Sequence, residues 1–185
     1  MTLLAHPYRR LLAVVVLAAV ALDQGSKALI RGELPMHARV NVVPGLLDFV
    51  HAQNPGAAWG IMRDVDHRMV VFTFITLIAF AVLLGWHRRL KPDQEVLALG
   101  LSLLVGGAAG NFLDRLMYRG VTDFIEPYIG GPLGDTLLRS GWPSRFPAFN
   151  VADMAITCGT GLFLFHVLVL EPRREAAAAA AEEAC

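Results

Sequence analysis

Four long apolar runs limit what this chain can become more than any other feature. They occupy residues 11–30, 69–86, 96–117 and 151–170. Crossing the hydrocarbon core of a bilayer takes about 20 residues of helix, and each run comes close to that length. No water is available there to satisfy a bare backbone, so each run is read as helix. The chain is 55% hydrophobic and only 17% charged, with a mean hydropathy of +0.51. That is too apolar for an ordinary soluble domain. The expected fold is mainly α and integral to the membrane: a four-transmembrane-helix bundle in a single domain over residues 1–172. The tail 173–185, rich in Ala and Glu, is low in complexity and is expected on the cytoplasmic side, either extending the fourth helix or remaining disordered.

Charge sets the orientation. The second and third runs are joined only by "HRRLKPD", residues 87–93, which is short and basic. Arg9 and Arg10 flank the first run, and Arg173 and Arg174 follow the fourth. Basic residues collect on the cytoplasmic side, so both termini and the 87–93 turn are expected inside. The connections 31–68 and 118–150 then lie outside, with Trp59 and Trp142 at the outer interface and Trp86 at the inner one. Arg9-Arg10, the apolar run and Ala19-Val20-Ala21 also have the form of a cleavable leader. Cleavage there leaves Asp23 and Lys27 at a free N-terminus, so the run is kept as a span.

Other classes fit poorly. Lys plus Arg equals Asp plus Glu, 16 each, so there is no basic field for nucleic acid. The six histidines are scattered without HExxH or a Cys/His cluster, so no metal site is expected. Cys158 lies inside an apolar run and Cys185 ends the chain, a poor placement for a disulfide. The stretch "VNVVPGLLDFVHAQ", residues 40–53, has strand-like arms around Pro44-Gly45 and reads as a small β-hairpin. "NPGAAWGIM" after it reads as a turn leading to a short helix between helices one and two.

The polar residues of the spans converge on one depth. Asp23 and Lys27 fall in the outer half of the first span. Asn111, Asp114 and Arg115 lie at the outer end of the third, with Asp123 just beyond. Asn150 and Asp153 open the fourth, and Asn54 lies in the first outer loop. Ionisable groups at membrane depth are costly and point to function. Each also has a plainer reading. Asp23 and Lys27, spaced i, i+4, can neutralise each other. Asn111, Asp114 and Arg115 share a helix face and can join helices. "GGAAG" at 106–110 is a small-residue packing face. Asn150 and Asp153 fit an N-cap and a dipole-favoured acid, and Asp123 alone can be a solvated loop residue. Taken together, Asp123 and Asp153 sit at adjoining ends of consecutive antiparallel helices. Two carboxylates close together in a partly dry site share a proton. That state suits aspartic proteolysis, in which the ionised acid activates water and the protonated one donates to the carbonyl.

The pieces "DQGSK" (23–27), "NPGAAWG" (54–60), "GNFLDR" (110–115), "VTDF" (121–124) and "FNVAD" (149–153) together resemble the lipoprotein signal peptidases, also called signal peptidase II. The resemblance covers roughly residues 11–170. It implies a bacterial inner-membrane aspartic endopeptidase with four helices, both termini inside and its active site near the outer leaflet. It implies a small sheet and a short helix on the outer surface, which fits residues 32–62. Its substrates are prolipoproteins bearing a diacylglyceryl cysteine, cut just before that cysteine, and its inhibitor is the cyclic peptide globomycin. By this resemblance Asp123 and Asp153 are the catalytic pair, and Asp23, Lys27, Asn54, Asn111, Asp114, Arg115 and Asn150 are the polar set around them. Asn54 and Arg115 are read as polar contacts to substrate backbone or to the neighbouring network, and the pairs Asp23–Lys27 and Asp114–Arg115 as holding the site's geometry. No cofactor is implied. Membrane lipid is the surrounding partner, and a monomer is expected. One departure stands out: "FIEPYIGGPLGDTLLRSGWPSRFPAFNVA", residues 124–152, is longer than usual for the family and reads as an inserted loop near the substrate entrance.

Two rivals are weighed. Ser26 and Lys27 invite a serine–lysine protease, but adjacent helical residues point about 100° apart. A proton-coupled transporter can use membrane carboxylates, yet no inverted repeat is visible and the polar groups do not form a path across.

Overall fold

The computed structural model describes residues 7–56 and 68–183. The four apolar runs form long helices: α1 (Arg9–Glu33), α2 (Arg68–His87), α3 (Glu95–Tyr118) and α5 (Val151–Phe165). Each, α5 together with its continuation, is long and apolar enough to span a membrane. Beyond α5 the helix widens into a π turn over His166–Leu170 and continues as α6 (Glu171–Glu183). Pro172 explains the widening, because it has no N–H for the carbonyl of Leu168 and its ring crowds that turn. The Ala/Glu-rich tail is therefore helical as far as it is described.

α3 is the central element, packed against α1, α2 and α5. Small residues let the backbones meet. A Cβ on Gly107 would lie 2.4 Å from the carbonyl oxygen of Ala152 in α5, and one on Gly106 would lie 2.8 Å from the Cβ of Ala19 in α1. The 106–110 face thus packs in two directions. At the other end of the bundle Tyr8, Leu90, Leu97, Ala98 and Leu101 form a compact apolar cluster, with the Tyr8 hydroxyl donating to the Pro92 carbonyl. Trp86 packs edge-on against Phe163 nearby.

A three-stranded antiparallel sheet, ordered β1-β2-β3, sits at the opposite end. β1 (Arg39–Val43) and β2 (Leu47–Asn54) are the expected hairpin around Pro44-Gly45. β3 (Val121–Pro127) is an addition: the segment bearing Asp123 is a strand, not a solvated loop. It pairs with β2 in the register Ala52↔Asp123, Gln53↔Thr122 and Asn54↔Val121. Residues 121–124 are all buried, so the segment shows none of the alternation that betrays a half-exposed strand.

The inserted stretch also departs from the loop expected of it. It contains α4 (Gly131–Arg139), with Pro132 in the first turn, where a missing N–H costs nothing. Isolated bridges Ile125↔Phe149 and Tyr128↔Arg145 tie the stretch to β3. The short helix expected after Asn54, and Trp59 with it, lie outside the described residues.

Candidate active site

The site begins at the junction of α3 and β3. α3 ends at Arg119, which takes a left-handed conformation (φ 58°) and donates its N–H to the Arg115 carbonyl. This reversal sends the chain straight into β3, so Asp123 emerges only nine residues after Asp114. α5 begins where the chain returns. Asn150 is its N-cap and forms a reciprocal capping box with Asp153. The Asp153 N–H donates to Asn150 Oδ1 at 3.0 Å, and the Asn150 N–H donates to Asp153 Oδ2 at 3.2 Å. The capping role read from the sequence is therefore present, and it also aims the Asp153 carboxylate.

Asn150 links both acids. Its Nδ2 donates to Asp123 Oδ1 at 2.7 Å while its backbone holds Asp153. Asn54 Nδ2 donates to the other Asp123 oxygen at 3.1 Å, and Gly56 N in turn donates to Asn54 Oδ1 at 2.9 Å. Asn111 Nδ2 donates to Asp153 Oδ1 at 2.8 Å. Asn111 Oδ1 accepts from Lys27 Nζ at 3.0 Å and from Asn150 Nδ2 at 3.2 Å. Burial pushes the Asp123 carboxyl up from 3.8 to about 6; the amides of Asn54 and Asn150 pull the other way, and the charge of Asp153 adds to the rise. Asp123 thus keeps its proton to a higher pH than an ordinary carboxyl.

Beneath the acids lies a fully buried ionic layer. Lys27 Nζ meets Asp23 Oδ2 at 2.8 Å and Asp114 Oδ2 at 3.4 Å, and all three side chains are inaccessible to solvent. Such charges persist only when every lone pair and proton finds a partner. Asp23 Oδ1 accepts the Ala152 N–H at 2.9 Å, tying α1 to the start of α5. Asp114 Oδ2 accepts the Thr122 N–H at 2.8 Å, tying α3 to β3. Gly110 makes room for the Asp23 carboxylate, since a Cβ there would lie 2.5 Å from Asp23 Oδ2.

The structure brings Asp23, Lys27, Asn54, Asn111, Asp114, Asn150, Asp123 and Asp153 into one hydrogen-bonded network. Arg115 stands apart from the pairing expected of it. Asp114 pairs with Lys27 and with Arg31. Arg115 instead donates to the Asn111 carbonyl at 3.2 Å and lies over the Phe72 ring at 5.1 Å. Neighbours on a helix diverge, so Asp114 and Arg115 face different partners. Sequence reasoning also passed over Gln24, Arg31 and Thr122. Gln24 Nε2 lies within hydrogen-bond distance of Asp23, Asp114 and the Gly110 carbonyl. Arg31 Nη1 contacts Asp114 Oδ1 at 3.4 Å and Thr122 Oγ1 at 3.0 Å. Arg31 lies one turn beyond Lys27 on the same face, a spacing that could have flagged it.

A groove of about 440 Å³ runs along α5 from Asp153, lined by Phe149, Met154, Thr157 and Cys158. It is open and mostly apolar. Of the three buried histidines among the described residues, His51 lies on β2, and His87 and His166 sit toward the other end of the bundle. His166 is 13 residues past Asp153, about 20 Å along the helix, and takes no part in the network.

The arrangement joins two acids through Asn150 and sets Asp153 beside an apolar groove. The model of the family described as signal peptidase II matches residues 15–169. The lipoprotein signal peptidase of Syntrophotalea carbinolica is 36% identical over 155 residues, which are 84% of this chain and 89% of that protein. Those of Geobacillus kaustophilus and Pseudomonas paraeruginosa are each 37% identical, covering 81% and 84% of this chain and 88% and 86% of their own lengths. A bacterial membrane enzyme solved in meso at 1.9 Å superposes with a TM-score of 0.72 at 28% identity, over 88% of this chain and 95% of that one. A second, at 2.3 Å, gives 0.70 at 29% identity, over 87% and 89%. With its family matched across nearly the whole bundle and relatives above one-third identity, the chain belongs to the signal peptidase II family and is a multi-pass membrane peptidase.

Proposed function

We propose that this enzyme removes signal peptides from diacylglyceryl-modified bacterial prolipoproteins, cutting before the lipidated cysteine with Asp123 and Asp153 as its catalytic pair. One observation carries the assignment: Asn150 holds both carboxylates, Asp123 by its side chain at 2.7 Å and Asp153 by its backbone at 3.2 Å. Asp123, pushed up to about 6 by burial, keeps the shared proton. Asp153 accepts from Asn111 and Asn150 in the first turn of α5, where the helix dipole favours negative charge. Asp153 is then the base that takes a proton from water as the oxygen attacks the scissile carbonyl. Asp123 gives its proton to the carbonyl oxygen. When the tetrahedral intermediate collapses, the amine leaves with the proton that Asp153 took up. The carbonyl re-forms and its proton returns to Asp123, so the pair again holds one.

Basic residues gather at the end opposite the site: Arg9, Arg10, Arg88, Arg89, Lys91, Arg173 and Arg174. The positive-inside rule supports cytoplasmic termini and a site at the outer leaflet. The groove beside Asp153 supports sideways entry of the signal helix, its acyl chains staying in lipid and holding the scissile bond at the acids. A single chain supplies every residue this scheme uses.

The test pairs purified enzyme with a diacylglyceryl-modified precursor and with the unmodified form. Cleavage is expected only of the first. Asp123→Asn and Asp153→Asn, each with intact helicity, are expected to lose about 10²- to 10⁴-fold in turnover, the usual worth of a general acid or base. Near-normal turnover in either variant sinks the pair.

A further inference from the structure

Residues 128–148 form an arm between β3 and α5 that the peptidase chemistry leaves unused. The arm is fixed to the sheet. Ile129 N donates to the Ser144 carbonyl at 2.7 Å and Phe146 N to the Pro127 carbonyl at 3.0 Å. Arg145 donates to Asp48 at 2.8 Å and Glu126 at 2.5 Å and lies over the Tyr128 ring at 4.5 Å. Asp48 is buried, and the hydrogen bonds and charge of its partners, Arg145 first, outweigh burial and hold its carboxyl below the usual range.

So anchored, the arm exposes large apolar side chains: Leu133 62%, Leu138 59%, Trp142 68% and Phe146 56%. On α4, Gly134 is buried against the Ile129 carbonyl, so the helix packs on the arm through that side and Leu133 and Leu138 flank it, both open to the surroundings. Two further observations name what covers it. Phe146 stands only four residues before Asn150, the cap of the membrane-crossing α5. The exposed apolar series then continues through Met154, on the open side of the first turn of α5.

We propose that the arm is a membrane-interface platform, with Leu133, Leu138, Trp142 and Phe146 resting in the headgroup–acyl boundary of the leaflet that α5 enters. Trp and Phe on a rigid mount suit that depth. The platform holds the far end of the sheet at the bilayer surface, and hence the strand that carries Asp123. It stands whether or not the two acids are catalytic.

The experiment uses full-length protein in phosphatidylcholine vesicles, with Trp59→Phe and Trp86→Phe leaving Trp142 as the sole tryptophan. The difference between wild type and Trp142→Phe gives the same signal with the other tryptophans untouched. Trp142 is expected to lose about half its emission or more to lipids brominated at a shallow acyl position and to resist aqueous acrylamide, as an interfacial tryptophan does. Strong acrylamide quenching without a lipid effect places the arm in water and overturns the proposal. Shielding from both quenchers also overturns it, because a second copy of the chain or another protein then covers the face.

Discussion

Arg31 shows what single residues contribute to this site beyond the two acids. Its guanidinium reaches Asp114 and Thr122 Oγ1 and stacks over Tyr118 at 4.2 Å. Thr122 is the residue before Asp123, so Arg31 acts as a positioning residue for the strand that presents the acid. Arg31→Gln is expected to lower kcat about tenfold with KM unchanged, the worth of one charged hydrogen bond. Arg31→Lys, which keeps the charge without the planar fork, is expected to recover part of that loss. A rise in KM alone in single-substrate kinetics contradicts the role. The residues legible from sequence were those with local spacing: Asp23 with Lys27 at i, i+4, and Asn150 with Asp153 as a cap. The contacts of Gln24 and Arg31 across the bundle join residues 83 to 91 positions apart; the one-turn spacing of Arg31 from Lys27 could flag the residue, but no local pattern encodes its partners.

Among the elements, α3 and α5 decide the geometry of the acids. Gly107 lets their backbones approach at the level of Ala152, one residue from Asp153. Gly107→Ala is expected to cost about 1–3 kcal/mol of stability, the usual price of overpacking, and to reduce turnover by displacing the start of α5. Thermal unfolding of the purified variant checks the first and precursor cleavage the second; an unchanged midpoint contradicts the close approach. The four spans were plain in the sequence because apolar length is a property of contiguous residues. β3 was not, because it is buried on both faces and carries no period-two signal. α4 was hidden by its Gly and Pro, which usually mark loops and here only open a helix.

For the molecule as a whole, burying charge has consequences that acidity reveals. The folded state holds the Asp123 proton up to about 6, whereas the ordinary value is 3.8. Between those values the native state binds more protons than the unfolded one, so stability falls as pH rises through that window. We expect the unfolding midpoint of wild type to drop between about pH 4 and pH 6, and that of Asp123→Asn to drop less, because the amide has no proton to lose. Parallel slopes in a thermal scan contradict a protonated Asp123 in the native state.

By itself the sequence determined the number of spans and the end of the bundle at which polar residues collect. Those follow from hydropathy and from basic flanks, which the lipid reads locally along the chain. It also listed the two acids by their motifs. Only the tertiary structure decided that Asn150 joins them, that Lys27 and Arg31 rather than Arg115 form the ion pairs of Asp114, and that Asp123 rides on a strand. Hydrogen bonds between distant elements depend on how helices pack and on where α3 reverses into β3. That packing is set by surfaces meeting in three dimensions, which the order of residues along one strand or helix does not display.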